Sequence, residues 1–440
     1  MAGILNEDKS KSARAHDVNP TTAALGGRSG AWVWWISILL LLATMLNYMD
    51  RQALSVLSKR ITTELEINNE KYGELEFGFG IAFAAGSLIF GILADRFSVR
   101  LLYPMVLLAW SAIGVLTGYC QDASSLLACR VLLGFFEAGH WPCALRTTQI
   151  IQTGSQRMMG NSILQSGGAL GAIVTPLVVL GLLAGSQQLG AWRFPFVLIG
   201  SSGVFWCLLW LISVRERDLP PASVLIREGS VGEGMSFAVS RHWLLECLTN
   251  PRFYALVPVV IFLNMTWQLI RAWLPKFLQE GRGVSESAAL YFNSLYFVAA
   301  DIGCLCAGAA AVFLARRGFR PHRARILIFG ICGICTSLTV VAAALPAGWL
   351  LYSVLLIVAA GSLGLFPCYY SMAQDVSERH LGKASGLLGA IGWLISSPTQ
   401  KWFGKVVDST GSFDTGLAMV GLAPLLGLFL LILIWRDADR

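Results

Sequence analysis

Twelve apolar runs, each long enough to cross a bilayer, divide this sequence. They fall at about 32–57, 74–94, 101–119, 124–145, 160–183 and 194–213, then at about 253–275, 287–314, 326–345, 348–373, 384–406 and 413–435. A spanning helix needs roughly 20 apolar residues. Peptide groups in hydrocarbon must bond within their own segment, so runs of this length are helices. Composition agrees, with 55% of 440 residues hydrophobic and only 13% charged, against about 25% charged in soluble domains. Too few polar residues remain to coat a soluble globule, which excludes a soluble enzyme. The expected fold is an all-α membrane protein of twelve transmembrane helices.

The longest polar stretch between runs, 214–252, separates six runs from six. The expected organisation is a tail over 1–31, a six-helix bundle over 32–213, a linker over 214–252, a second bundle over 253–436 and a terminus over 437–440. Counting Lys and Arg on alternate sides gives 22 on the side of the termini and 8 on the other, with Arg51, Arg130 and Arg271 inside runs. That bias places both termini in the cytoplasm of an inner (plasma) membrane protein. The net charge of +7 is dispersed among these gaps. It is a topology signal and not a stripe for nucleic acid. The first 30 residues lack the short apolar core of a signal peptide. Eight of the ten cysteines sit within apolar runs, including Cys332-x-x-Cys335, and read as small core residues.

The halves also resemble each other. Ser155–Pro176 aligns without gaps on Ser377–Pro398, at an offset of 222, with coincident Ser, Arg, Gly, Ile and Pro residues. Six-helix repeats holding substrate at their interface are the organisation of many secondary transporters.

Charges inside spans are costly and face a cavity or the bundle interior. The first span carries Asn47-Tyr48-Met49-Asp50-Arg51, and the fourth carries Arg130, Gly134, Glu137 and His140. Arg130 and Glu137 are seven apart and share a helix face. By the rise per residue, Arg51 and Arg130 each lie roughly 9 Å below the outer end of their spans. Two guanidinium forks at one depth suit a carboxylate. Asp50 and Glu137 beside them can take or release protons, with protonation sensitive to what the arginines bind. Gly91-x3-Asp95-Arg96-x3-Arg100 closes the second span, where its charges can reach helix termini or carboxylates and latch the halves.

That Gly-x3-Asp-Arg-x3-Arg loop resembles the signature of the major facilitator superfamily. NYMDR at 47–51, RVLLGFFEAG at 130–139, SILQSGGALGAIVTP at 162–176 and WLPKFLQEGRG at 273–283 resemble its anion:cation symporter family. That family includes bacterial hexuronate and galactonate transporters, sialin and the vesicular glutamate transporters. The resemblance implies that Arg51 and Arg130 bind a substrate carboxylate, that Asp50 and Glu137 couple protons, and that Tyr48 contacts substrate. Gln165, Ser166 and Gln268 join the candidate pocket as readers of substrate hydroxyls and polar groups. His140-Trp141 departs from the usual Asn-Phe, so His140 is either a pocket wall or a hydrogen-bonded core residue. Arg271 is also unusual. It lies about 6 Å and Asp301 about 21 Å from their outer span ends, too different in depth to pair. Glu74 and Glu76 sit near a span end and read as solvated acids.

The function expected is proton-coupled symport of a small organic anion, a sugar acid such as a hexuronate or aldonate, by a monomeric carrier needing no cofactor. The rivals are an organophosphate exchanger of the same fold, against which Asp50 argues, and a transporter-shaped sensor. Neither a metal-spaced cluster nor a large catalytic loop supports a membrane enzyme.

Overall fold

The computed structural model describes residues 29–152, 154–183, 186, 188–219, 249–374 and 381–435, and every regular element among them is helical. The first half holds α1 (Gly30–Val56), α2 (Ser58–Glu64), α3 (Asn69–Arg96), α4 (Val99–Thr117), α5 (Ala123–Glu137), α6 (His140–Ile151), α7 (Gly154–Leu183) and α8 (Arg193–Ser213). The second holds α9 (Pro251–Lys276), continued by a π turn at Phe277–Gly281, α10 (Glu286–Arg316), α11 (Pro321–Ser337) and α12 (Thr339–Ala344). It closes with α13 (Trp349–Gln374), α14 (Leu381–Ser396), α15 (Pro398–Thr410) and α16 (Asp414–Ile434).

Among the described residues, ten segments are long and apolar enough to cross a bilayer. The pairs α5–α6 and α14–α15 supply the other two of twelve spans. The runs at 124–145 and 384–406 therefore are not the single helices expected from the sequence. Proline explains both breaks. Pro142 lacks an N–H and crowds the carbonyl of Ala138 four residues back, which favours a break there. Pro398 instead starts a new helix, where its missing N–H costs nothing. The expected tail lies largely outside the described residues, as do most of the 214–252 linker and the terminus.

Polar caps set several helix starts. Asn68, Asp122 and Asn250 each accept a bond from a backbone N–H in the first turn of α3, α5 and α9, satisfying donors that a helix start leaves open. Small residues then let the spans approach closely. Gly167 and Gly171 of α7 lie so near the Leu41 and Met45 carbonyls of α1 that a Cβ would not fit at either position. Gly134 of α5 lies as closely against the Phe79 carbonyl of α3.

The two halves meet at the end of the molecule opposite the termini. Arg60 donates to both carboxylate oxygens of Glu286 at 2.6 Å. Asp408 accepts from the backbone N–H groups of Asn69 and Glu70. Lys276 Nζ reaches Asn69 Oδ1 at 2.7 Å, and the Tyr72 hydroxyl donates to the Ala272 carbonyl at 2.8 Å. Gly73 and Gly404 make this join a backbone contact, since a Cβ on either would strike the facing chain at Gln400 or Asn69. Beside the join, Glu64 accepts from Arg193, the Gly190 N–H and the Trp192 indole. Burial pushes its carboxyl up, but those donors outweigh it and hold Glu64 below the usual range.

Candidate functional site

Six ionisable side chains lie buried where the halves meet: Asp50 and Arg51 on α1, Glu76 on α3, Arg130 and Glu137 on α5, and Arg271 on α9. Their positions follow from helical spacing. Arg130, Gly134 and Glu137 share the α5 face that packs on Phe79, with Gly134 allowing the close approach.

Arg51 presents one edge of its guanidinium to Glu137, with Nε and Nη2 donating to Oε2 at 3.2 and 2.9 Å. Nη2 also donates to Asn47 Oδ1 at 3.1 Å. The rings of Tyr48, Phe79, Phe83 and Trp393 surround this cation, with centroids 5.0–5.7 Å away. Trp393 comes from α14, in the other half. Aromatic faces attract a desolvated cation, so this cage helps to hold Arg51 charged away from water.

Arg130 stands over the same Phe79 ring at 4.5 Å, but it pairs elsewhere. Its Nη2 donates to Glu76 Oε1 at 3.1 Å, while Arg271 Nη2 donates to Glu76 Oε2 at 2.6 Å. Glu76 therefore bridges an arginine of the first half and one of the second. Arg271 is further held by Gln268 Oε1 at 2.9 Å and Gln52 Oε1 at 3.4 Å. Two carboxylates, Glu137 and Glu76, thus meet the three arginines. Several buried atoms have no hydrogen-bond partner among the described residues: Arg130 Nε and Nη1, Gln52 Nε2, Glu137 Oε1 and Asp50 Oδ1.

The structure brings Arg51, Arg130, Glu137 and Tyr48 to one site, with both arginines on Phe79. Asp50 faces another way. Its Oδ1 lies toward Gly114 of α4, and none of the ion pairs among the described residues joins it to an arginine. Of the two readings open for His140, the geometry matches the hydrogen-bonded core residue. It is fully buried, with Nε2 at 3.0 Å from the Thr44 hydroxyl and Nδ1 at 2.8 Å from the Tyr103 hydroxyl, which makes it a tie between α1, α4 and α6. Gln268 acts on Arg271 and is itself largely buried. Gln165 and Ser166 are exposed on α7, near Gly168, which packs against the Tyr48 ring.

Glu76 overturns the reading of it as a solvated acid: it is 3% exposed. Glu74 does meet solvent and pairs with Lys401 at 3.3 Å. Arg271 pairs with Glu76 and not Asp301, as their depths required. Trp393, Gln52 and Phe79 had no sequence signal beyond lying in apolar runs near charges. In the loop motif, Gly91 is half-buried and Arg96 exposed, while the Asp95 side chain lies outside the described residues. Arg100 Nε donates to the Val214 carbonyl at 2.9 Å, the cap of α8. It therefore ties two helices of one half in this structure rather than latching the halves together.

The chain is 25% identical over 408 residues to the probable sulfoacetate transporter SauU of Cupriavidus necator, covering 89% of this chain and 92% of that protein. It is 24% identical to the probable L-galactonate transporter of Escherichia coli, with 91% and 88% covered. It is also 24% identical to the hexuronate transporter of Bacillus subtilis, with 88% and 90% covered. Among solved structures, a bacterial homolog of the human lysosomal transporter Spinster superposes with a TM-score of 0.70 at 18% identity, over 92% of this chain and 96% of that one. The nucleoside transporter NupG gives a TM-score of 0.72 at 14% identity, over 91% and 100%. These two establish the fold of a multi-pass membrane protein. The sequence profile of the Major Facilitator Superfamily matches residues 40–399, and the chain belongs to that superfamily.

Proposed function

We propose that this protein is a proton-coupled symporter that imports a small organic anion, a sugar acid such as a hexuronate or aldonate. The relatives named for galactonate, hexuronate and sulfoacetate support an acid as the cargo. The observation that carries the reading is the Arg51–Glu137 pair, in which a buried arginine fork already holds a carboxylate. Arg51 Nε and Nη2 share one oxygen of Glu137, and a substrate carboxylate can offer the same fork two. When substrate takes the fork, Glu137 loses its counter-charge and binds a proton. Arg130 adds a second cation over the shared Phe79 ring, and Asp50 assists as a second buried acid.

The charge bias supports an inner-membrane protein with both termini in the cytoplasm. The halves are joined at the far end, so on this reading the state with the join made is closed on the outer side. Tyr48, Gln165, Ser166 and Gln268 would then meet the sugar hydroxyls, and His140 stays behind them as support. Reversal moves the monomer's two six-helix bundles, linked through 214–252, about this site. Gly91, Asp95, Arg96 and Arg100 tune that balance. Uptake into proteoliposomes tests the proposal, using a panel of labelled sugar acids and organophosphates with and without an inward proton gradient. Gradient-stimulated accumulation of one acid is expected. Uptake indifferent to the gradient, or confined to organophosphates, contradicts it.

A further inference from the structure

The site contains one more arginine than a single carboxylate needs. Arg51, Arg130 and Arg271 form a row in which Arg130 is the middle member. It shares the Phe79 ring with Arg51 and the Glu76 carboxylate with Arg271. Burying each guanidinium costs several kcal/mol unless an anion meets it. At one end of the row that anion is Glu137, and at the other it is Glu76. Both ends are therefore built as carboxylate receptors, occupied here by the chain's own acids.

The donors around the Glu76 end exceed what Glu76 accepts. Arg130 Nε and Nη1 and Gln52 Nε2 are buried and have no hydrogen-bond partner among the described residues. Gln52 already touches Arg271 through its oxygen, which leaves its N–H group beside the bridge. Unmet buried donors carry a large desolvation cost and call for acceptor oxygens. Arg271 belongs to the second half, so an anion held there is gripped by both halves.

Resting on the sugar-acid reading above, we propose that Arg271, with Gln52 and an unmet N–H group of Arg130, receives a second acid group. The preferred cargo is then a short dianion, such as a sugar diacid, with one acid on Arg51 and Arg130 and the other taking the place of Glu76 at Arg271. A substrate with one acid leaves the second receptor to Glu76.

A six-carbon aldonate and the matching aldarate differ only in whether C6 is a hydroxymethyl or a carboxylate. Their affinities are measured by titration calorimetry on purified full-length protein. The wild type should bind the aldarate tighter by roughly tenfold to a hundredfold, the range of one charge-assisted hydrogen bond. Arg271→Gln should abolish that preference by weakening the aldarate alone. Arg271→Lys keeps the charge without the fork. It should retain part of the preference, and it decides the matter if the Gln variant does not fold. Equal wild-type affinities overturn the proposal, as does an Arg271→Gln variant that weakens both acids alike, the mark of a mere tie between halves. A wild type that binds neither acid overturns the proposed function and this inference with it. One that binds the aldonate alone overturns only the inference.

Discussion

Gly171 and Trp393 occupy equivalent places in the two halves, 222 residues apart in the internal repeat. In the first half, the bare glycine lets α7 close on α1 and seats the Tyr48 side chain. In the second half, the indole reaches across to cover Arg51. Pro176 and Pro398 diverge similarly: the first lies inside the continuous α7, and the second divides α14 from α15. The repeat thus preserves a frame while its halves divide the labour. Five of the six buried charges of the site come from the first half, and the second contributes Arg271 and an aromatic cover.

If the first half does the binding, its arginines carry the largest effect. Arg51→Lys and Arg130→Lys each keep a charge but lose the fork. Each should weaken substrate binding by about tenfold to a hundredfold, while thermal unfolding of the purified protein changes little. Trp393→Ala removes only the cover and should cost less, on the order of 1–2 kcal/mol from a desolvated cation–π contact. Equal losses at Arg51 and Trp393 would erase the division between binding half and covering half.

Much of this division was legible in the sequence, and its failures have physical causes. A charge within an apolar run is costly enough to announce itself, so Arg51, Arg130 and Glu137 stood out. Glu76 did not, because it lies only two turns into α3. Span position gives depth along one helix but not what a second half packs over it. The Arg271–Glu76 pairing needed both halves in place, for the same reason. His140 stayed open between two readings because two hydroxyls on other helices satisfy its ring, and no local pattern records partners 37 and 96 residues away. The twelve runs were readable by length. The breaks in the fourth and eleventh spans depend on Pro142 and Pro398, whose effect in a membrane helix varies with the neighbouring packing, as the unbroken α7 shows.

The join between halves offers a subtler test. Gly404→Ala places a methyl against the Asn69 carbonyl, and overpacking of this kind typically costs about 1–3 kcal/mol. Only the state closed at this end pays it, so the population should move toward the opposite opening. Cysteine labelling near Lys59 and Lys405 should rise, and substrate affinity measured in a locked conformer should not change. The smallest effect belongs to Lys401→Met. Its pair with Glu74 is exposed, and such pairs contribute about 0–1 kcal/mol. A labelling pattern shifted as far by Lys401→Met as by Gly404→Ala would place the join in surface charge and not in backbone contact.

Coupling through Glu137 is tested most directly by Glu137→Gln in proteoliposomes, scored for two activities with the same sugar acid. Glutamine resembles the protonated carboxyl and holds no proton to release. The variant should still exchange labelled for unlabelled substrate across the membrane, at a rate near that of the wild type. It should fail to accumulate substrate against its gradient when an inward proton gradient is imposed. Undiminished proton-driven accumulation by Glu137→Gln would contradict the assignment and move the coupling proton to Asp50 or Glu76.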